Sequence, residues 1–320
     1  MTIASIYKPI EPEMIRLEEN LDRIAEAAAS LGITEQLNHI LKDGGKRIRP
    51  ALTLLAGKFY HYNVESLLPM AVAVELLHTA TLVHDDTLDY SQRRRGKPTI
   101  NSLWGSSITI LLGDYLFATS ACITSETGNI RVMKLFAQTL MKICSGEIDE
   151  SLSPFNLKQG RQRYFQRIGN KTACLFSMAT ESGAVLSKAP EEVVQSLKSY
   201  GYNLGIGFQI IDDILDFIGQ EEIVGKPVAS DLSRGIFTLP AILFLERPES
   251  NAVKEVFNQD KQEGARLMRE MIHKSSIAGE CYRIAQDFCS QACLALEPLP
   301  RNTAYNSLID LAEYVIKRKS

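Results

Sequence analysis

Apolar residues along this chain recur at three- and four-residue spacing, and stretches that alternate residue by residue are scarce. The pattern predicts helix after helix. Residues 13–31 carry helical apolar spacing, broken at Gly32. Residues 42–50 read as a glycine-rich turn leading into another helix. Pro69 opens a long helix that runs to about Tyr90, because proline is well tolerated in a first helical turn. Residues 91–98 form a basic loop. Further helices are expected over 107–124, 132–152, 157–186 and 191–218. The stretch 219–239 is polar and punctuated by glycine and proline, and reads as a long loop; such loops in compact domains are usually functional or disordered. Residues 240–317 are again helical. No short-period repeat, low-complexity tract or interdomain linker interrupts the pattern. The expectation is one all-α domain over residues 1–320, with its site between helices.

Composition narrows the class. The 320 residues are 45% hydrophobic and 23% charged, an ordinary globular balance with a core large enough to stand without disulfides or structural metal. A net charge of −3 and a pI near 6.0 argue against a nucleic-acid binder, which usually carries a basic face. None of the six cysteines forms a C-x-x-C pair. Cys289 and Cys293 lie one helical turn apart with no histidine near enough to suggest zinc, so small core residues in a reducing compartment are expected. No basic segment followed by an apolar run marks a secretory signal, and no apolar stretch is expected to approach the roughly 20 residues that cross a bilayer. The expectation is a cytoplasmic protein with at most peripheral membrane contact.

The strongest chemical signal is a repeated motif, Asp85-Asp86-Thr87-Leu88-Asp89 and Asp212-Asp213-Ile214-Leu215-Asp216. Both stand near the C-terminal end of a predicted helix, and Gly-Lys-Pro follows each. A helical residue turns by about 100°, so Asp85 and Asp89 are neighbours on one face, as are Asp212 and Asp216. Charge repulsion and the helix macrodipole both oppose carboxylates at that end. A hard divalent cation offsets that cost, and Mg²⁺ commonly bridges one or two carboxylates to substrate phosphates. One such cluster alone is easily a solvated helix end. Two, each on a helix that is otherwise apolar, imply a lined cavity. Leu204, Phe208, Ile211, Leu215 and Ile218 make an apolar stripe, while Gln209, Asp212, Asp213 and Asp216 make a polar one. His78, Thr81, Asp85 and Asp89 likewise share one side of their helix.

Two basic clusters suit an anionic substrate. Gly44-Gly45-Lys46-Arg47-Ile48-Arg49-Pro50 places Lys46 and Arg49 three apart at a helix start, where glycines allow close backbone approach to an anion. Arg93-Arg94-Arg95-Gly96-Lys97 adds guanidiniums that grip phosphate oxygens bidentately. Such runs are often mere solvated surface, but here charges of both signs converge within a few residues. No G-x-x-x-x-G-K-[ST] motif is present, so nucleotide phosphoryl transfer has little support.

These residues resemble the trans-isoprenyl (polyprenyl) diphosphate synthases. GGKRIRP from Gly44, ELLHTATLVHDDTLD from Glu75, RRGKPT from Arg94, LLGDYLFA from Leu111, KTACLF from Lys171, GFQIIDDILDF from Gly207, and GKPVASDL with TLP between Gly225 and Pro240 occur in family order. The resemblance implies antiparallel helices around a deep central cavity, usually in a homodimer. It implies that Lys46, Arg49, His78 and Arg95 hold isopentenyl diphosphate. Asp85 and Asp89 would bind Mg²⁺, with Arg94 on an allylic diphosphate. Lys171, Thr172 and Gln209 would lie beside the allylic group, Asp212 and Asp216 at a further metal, and Lys226 on the diphosphate. Gly205 and Gly207 would ease a helix distortion that exposes carbonyls to a carbocation. Three positions depart from the family pattern: Glu150 where Gln is frequent, Ile236 where many carry Lys, and Ser106 where Asn often follows Trp-Gly.

Ala80 and Thr81 precede the first motif by five and four residues, and within the family these positions flank the growing tail. Two small residues favour a long product such as octaprenyl or solanesyl diphosphate; closure of the channel by Leu77, Val74, Leu140 or Ile143 would give geranylgeranyl diphosphate instead. Two other readings are a terpene cyclase-like enzyme, which needs no isopentenyl site, and a non-catalytic subunit of a heteromeric synthase, which would be expected to lose an aspartate motif.

Overall fold

The computed structural model describes residues 2–42, 45–218 and 230–318; Lys226, Gly44 and the second Gly-Lys-Pro lie outside the described residues. The chain is almost entirely helical, and the strands among the described residues are one short pair. It forms two compact units. The first comprises Met1–Gln138, Leu175–Gly201 and Ala295–Leu311, the second Thr139–Cys174, Tyr202–Leu294 and Ala312–Ser320.

In the first unit the helix Val64–Leu88 is the central element, packed by Glu11–Ala27, Ile48–Gly57 and Ser106–Glu126. It starts earlier than the sequence suggests. Asn63 caps it, accepting the Glu65 N–H at 3.1 Å, and Pro69 sits inside the helix. The proline is therefore no start signal here; the capping asparagine is. The helix Glu11–Ala27 tightens into a 3₁₀ turn and stops at Gly32, whose left-handed φ of 72° ends it as expected.

The expected basic loop is a small β-hairpin. Arg93–Arg94 pairs antiparallel with Lys97–Pro98, and Arg95 and Gly96 turn the chain with φ of 49° and 80°. Two consecutive positive φ values match the twist of a two-residue hairpin turn.

The second unit corrects two expectations. The helix expected over 157–186 starts later, at Arg161, and runs on to Leu186 through a π-helical turn at Gly169–Ala173, passing into the first unit at Leu175. The helix Glu191–Ile218 has the expected bounds but runs unbroken through Gly205 and Gly207. Gly207 is there for close packing, since a Cβ would sit 2.7 Å from Cys289 Sγ. The backbone distortion lies at the π turn instead, where the widened ring leaves carbonyls without their usual partners. Phe217, Phe237, Leu239 and Phe257 belong to the core of this unit. The C-terminal stretch divides into Leu239–Leu245, Ser250–Gln259, Lys261–His273, Ile277–Ala295 and Thr303–Lys317.

Among the described residues, two helices are long and apolar enough to cross a bilayer, contrary to expectation. In Val64–Leu88, 72% of the apolar window is buried in the protein; in Ser106–Glu126 only 33% is. Interspersed Ser, Thr and Gly conceal that length when only consecutive apolar residues are counted. Of the cysteines, Cys174, Cys281 and Cys289 are buried, Cys293 is half-buried, and Cys122 and Cys144 are exposed.

Candidate functional site

In the first unit, His78, Thr81, Asp85 and Asp89 are all half-buried on one side of the helix Val64–Leu88, as the spacing requires. Asp89 is its C-cap. Asp86 points elsewhere and is buried. Arg94 Nε lies 2.9 Å from each Asp86 carboxylate oxygen and Nη2 lies 2.9 Å from Oδ1, so two guanidinium nitrogens meet one carboxylate. The resemblance implies Arg94 on the allylic diphosphate; in this structure its guanidinium pairs with the second aspartate of the motif.

A pocket beside this face is lined by Gly45, Arg47, His78, Asp86, Arg94 and Arg95, among others. What lies close to Gly45 is a cation, since a Cβ there would lie 3.2 Å from Arg95 Nη1. Arg49 stacks its guanidinium over the Phe176 ring, 4.7 Å from the centroid. The Lys46 carbonyl accepts the Tyr7 hydroxyl at 2.8 Å. Burial holds the His78 imidazole well below its ordinary pKa, and Arg49, Arg95, Arg94 and Arg47 push the same way. It is therefore a neutral hydrogen-bonding group among cations. Ala80 is completely buried, whereas Thr81 is half-buried and returns its hydroxyl to the His78 carbonyl at 2.7 Å.

Sequence reasoning passed over Arg47. It is 9% exposed and holds a left-handed φ of 50°. Its guanidinium bonds Glu18 and Glu75, each at 2.7 Å, and the Leu41 carbonyl at 2.5 Å. The arginine ties the basic turn to the central helix. The helix begins only at Ile48, so Lys46 and Arg47 stand before it and helical spacing gives no signal for either.

In the second unit the helix Glu191–Ile218 carries the other motif. Thr172 Oγ1 donates to Gln209 Oε1 at 2.7 Å, so two of the three residues expected beside the allylic group meet directly. Gln209 Nε2 donates to Asp213 Oδ1 at 2.9 Å, and the Tyr164 hydroxyl donates to Asp213 Oδ2 at 2.6 Å. Burial pushes Asp213 up to about 8, against the pull of both donors. Tyr164 is a participant that the sequence reading did not anticipate. Lys171 lies 2.7 Å from both Glu147 and Glu150. The departure at Glu150 thus supplies a second anion to Lys171, and Arg167 approaches the same carboxylate at 3.5 Å.

Asp212 and Asp216 are half-buried on one face, with Asp213 turned inward. Asp212 Oδ1 already meets a cation, Arg318 Nη2 at 2.7 Å. The donors fit a hard divalent ion in chemistry, being carboxylate oxygens on one helix face with a guanidinium standing in at Asp212. Among the described residues no three carboxylates, imidazoles or thiolates form a cage by themselves.

A family model described as polyprenyl synthetase matches residues 32–274. "Heptaprenyl diphosphate synthase component 2" of Geobacillus stearothermophilus is 38% identical over 99% of both chains. Two crystal structures superpose closely. A decaprenyl diphosphate synthase from Rhodobacter capsulatus has a TM-score of 0.92 at 34% identity over 100% of both chains. A polyprenyl synthase from Caulobacter crescentus, complexed with calcium and isoprenyl diphosphate, has a TM-score of 0.93 at 31% identity over 100% of this chain and 98% of that one.

Proposed function

The chain belongs to the polyprenyl synthetase family, is a prenyltransferase and has the all-α isoprenoid synthase fold, and from that premise we propose that it extends an allylic diphosphate head to tail with isopentenyl diphosphate to a long-chain trans-polyprenyl diphosphate. The observation that carries the reading is the pocket that a neutral His78 shares with Arg47, Arg94 and Arg95, His78 itself standing on the helix face of Asp85 and Asp89.

In this reading Lys46, Arg49 and Arg95 neutralise the isopentenyl diphosphate while His78 donates a hydrogen bond without adding charge. Asp85, Asp89, Asp212 and Asp216 hold Mg²⁺, which when bound neutralises the leaving allylic diphosphate. Lys226, outside the described residues, completes that grip. Lys171, shared between Glu147 and Glu150, contributes an attenuated positive charge. Thr172 spends its proton on Gln209, so its lone pairs remain for a neighbouring carbocation. The π turn that carries Thr172 adds backbone carbonyl dipoles. The isopentenyl double bond attacks the allylic cation, and the proton then lost passes to the departing diphosphate. The Caulobacter protein's complex with calcium and isoprenyl diphosphate supports a hard divalent ion in this role.

The names of the heptaprenyl and decaprenyl relatives support a long product. Geranylgeranyl diphosphate is the alternative. The label "component 2" describes a part of an assembly, so a second subunit competes with the homodimer. Exposed apolar residues, including Leu111 at 64% and Ile130 at 74%, suit either partner.

The test incubates purified protein with farnesyl diphosphate, labelled isopentenyl diphosphate and Mg²⁺. Label should appear in longer chains, and Asp85→Ala or Asp212→Ala should reduce the rate about a hundredfold or more. Near-normal turnover in either variant would remove that aspartate from the metal assignment.

A further inference from the structure

A cation occupies Asp212, and it comes from the last described residue of the chain. Arg318 follows the helix Thr303–Lys317 and is 8% exposed, buried against the helix Glu191–Ile218. Its Nη2 lies 2.7 Å from Asp212 Oδ1 and 2.7 Å from the Phe208 carbonyl. The guanidinium carbon stands 3.7 Å over the Phe208 ring centroid. Four residues separate Phe208 from Asp212, so one helix face supplies ring, carbonyl and carboxylate together. The grip is incomplete, because Arg318 Nε is buried with no hydrogen-bond partner among the described residues. An unmet buried donor weakens the docked state against one in which the guanidinium reaches water. Lys317, the preceding residue, carries the same charge but is 74% exposed and pairs with Glu313.

We propose that Arg318 is a latch on the second aspartate motif: it holds the Asp212 carboxylate until a metal diphosphate binds there, and its release couples metal loading to movement of the chain's C-terminal end. The proposal rests on the assignment of Asp212 as a metal ligand. Arg318 takes up Asp212 Oδ1, so a metal that draws on that oxygen, alone or by chelating the whole carboxylate, displaces the guanidinium. The exchange keeps the site near electrical balance in both states. It also makes metal affinity lower than the bare carboxylates would give, by the strength of the displaced pair.

The test uses Mn²⁺ with inorganic pyrophosphate, read by electron paramagnetic resonance titration on the full chain. Arg318→Gln should tighten Mn²⁺ binding roughly tenfold, the scale of one charged hydrogen bond. Lys317→Gln should leave it unchanged. Equal tightening in both variants would reduce the effect to general electrostatics and overturn the latch, as would wild-type affinity in Arg318→Gln. A second readout needs no substitution. The Arg318 amide bonds the Tyr314 carbonyl at 3.0 Å, and its hydrogen exchange should speed up when Mn²⁺ and pyrophosphate are added to wild type. Unchanged exchange would also overturn the latch. Asp212→Asn separates the two ideas: if it binds Mn²⁺ as wild type does, the metal assignment itself falls, whatever Arg318 does.

Discussion

His78 shows how environment sets a residue's role. Burial and four arginines hold its pKa well below the ordinary 6.5. Below that pH the unfolded chain takes up a proton that the folded chain refuses, so stability falls as pH falls. The slope contributed by this one group is at most about 1.4 kcal/mol per pH unit. Urea unfolding between pH 5 and 7.5 should show His78→Gln losing less stability on acidification than wild type; parallel curves would contradict the neutral assignment. Chain length belongs to the same scale. Because Ala80 is completely buried, a larger side chain there has to displace core atoms, so Ala80→Phe mixes a stability loss with any effect on product. Thr81 is the cleaner probe. Thr81→Phe should shorten the product while turnover continues, as read by chromatography of the dephosphorylated prenols, and an unchanged length would exclude that position from the channel.

Helices meet closely where they carry glycine. At Gly183 a Cβ would come within 2.2 Å of the Thr53 carbonyl oxygen, a backbone atom that cannot step aside. Gly183→Ala should therefore cost about 2 kcal/mol or more in thermal or urea unfolding. A neutral result would mean that the two segments separate easily. Such contacts were not legible beforehand, because spacing along one helix says nothing about which backbone it touches. The helices themselves were legible where apolar periodicity is long and unbroken, as over Glu191–Ile218. They were misread where a cap or a glycine has two physical uses. Asn63 starts a helix that Pro69 was expected to open, and Gly207 packs against Cys289 where distortion was expected. The site followed the same rule. Asp85 and Asp89 share a face as four-residue spacing demands, and Thr172 meets Gln209, two residues that the resemblance sets beside the same group. The partners that hold the site came only with the fold. Arg47 reaches Glu75 across 28 positions, Tyr164 reaches Asp213 across 49, and Arg318 reaches Phe208 across 110. Periodicity is local and cannot report contacts of that range.

For the whole molecule, assembly and reaction are the open physical questions. An apolar helix such as Ser106–Glu126, with two-thirds of its apolar window uncovered, gains stability from a partner surface. Light scattering on the purified chain should give a dimer, and that dimer should be active alone; a monomer that turns over only with a second protein added would establish the two-component alternative. The most direct measurement of the central claim is an omission experiment. Allylic primer, labelled isopentenyl diphosphate and Mg²⁺ are supplied together and then with each left out in turn, and the dephosphorylated products are separated by length. The account predicts labelled prenols longer than geranylgeraniol only when all three are present. An apolar product formed without isopentenyl diphosphate, or no labelled chain with all three, would contradict it.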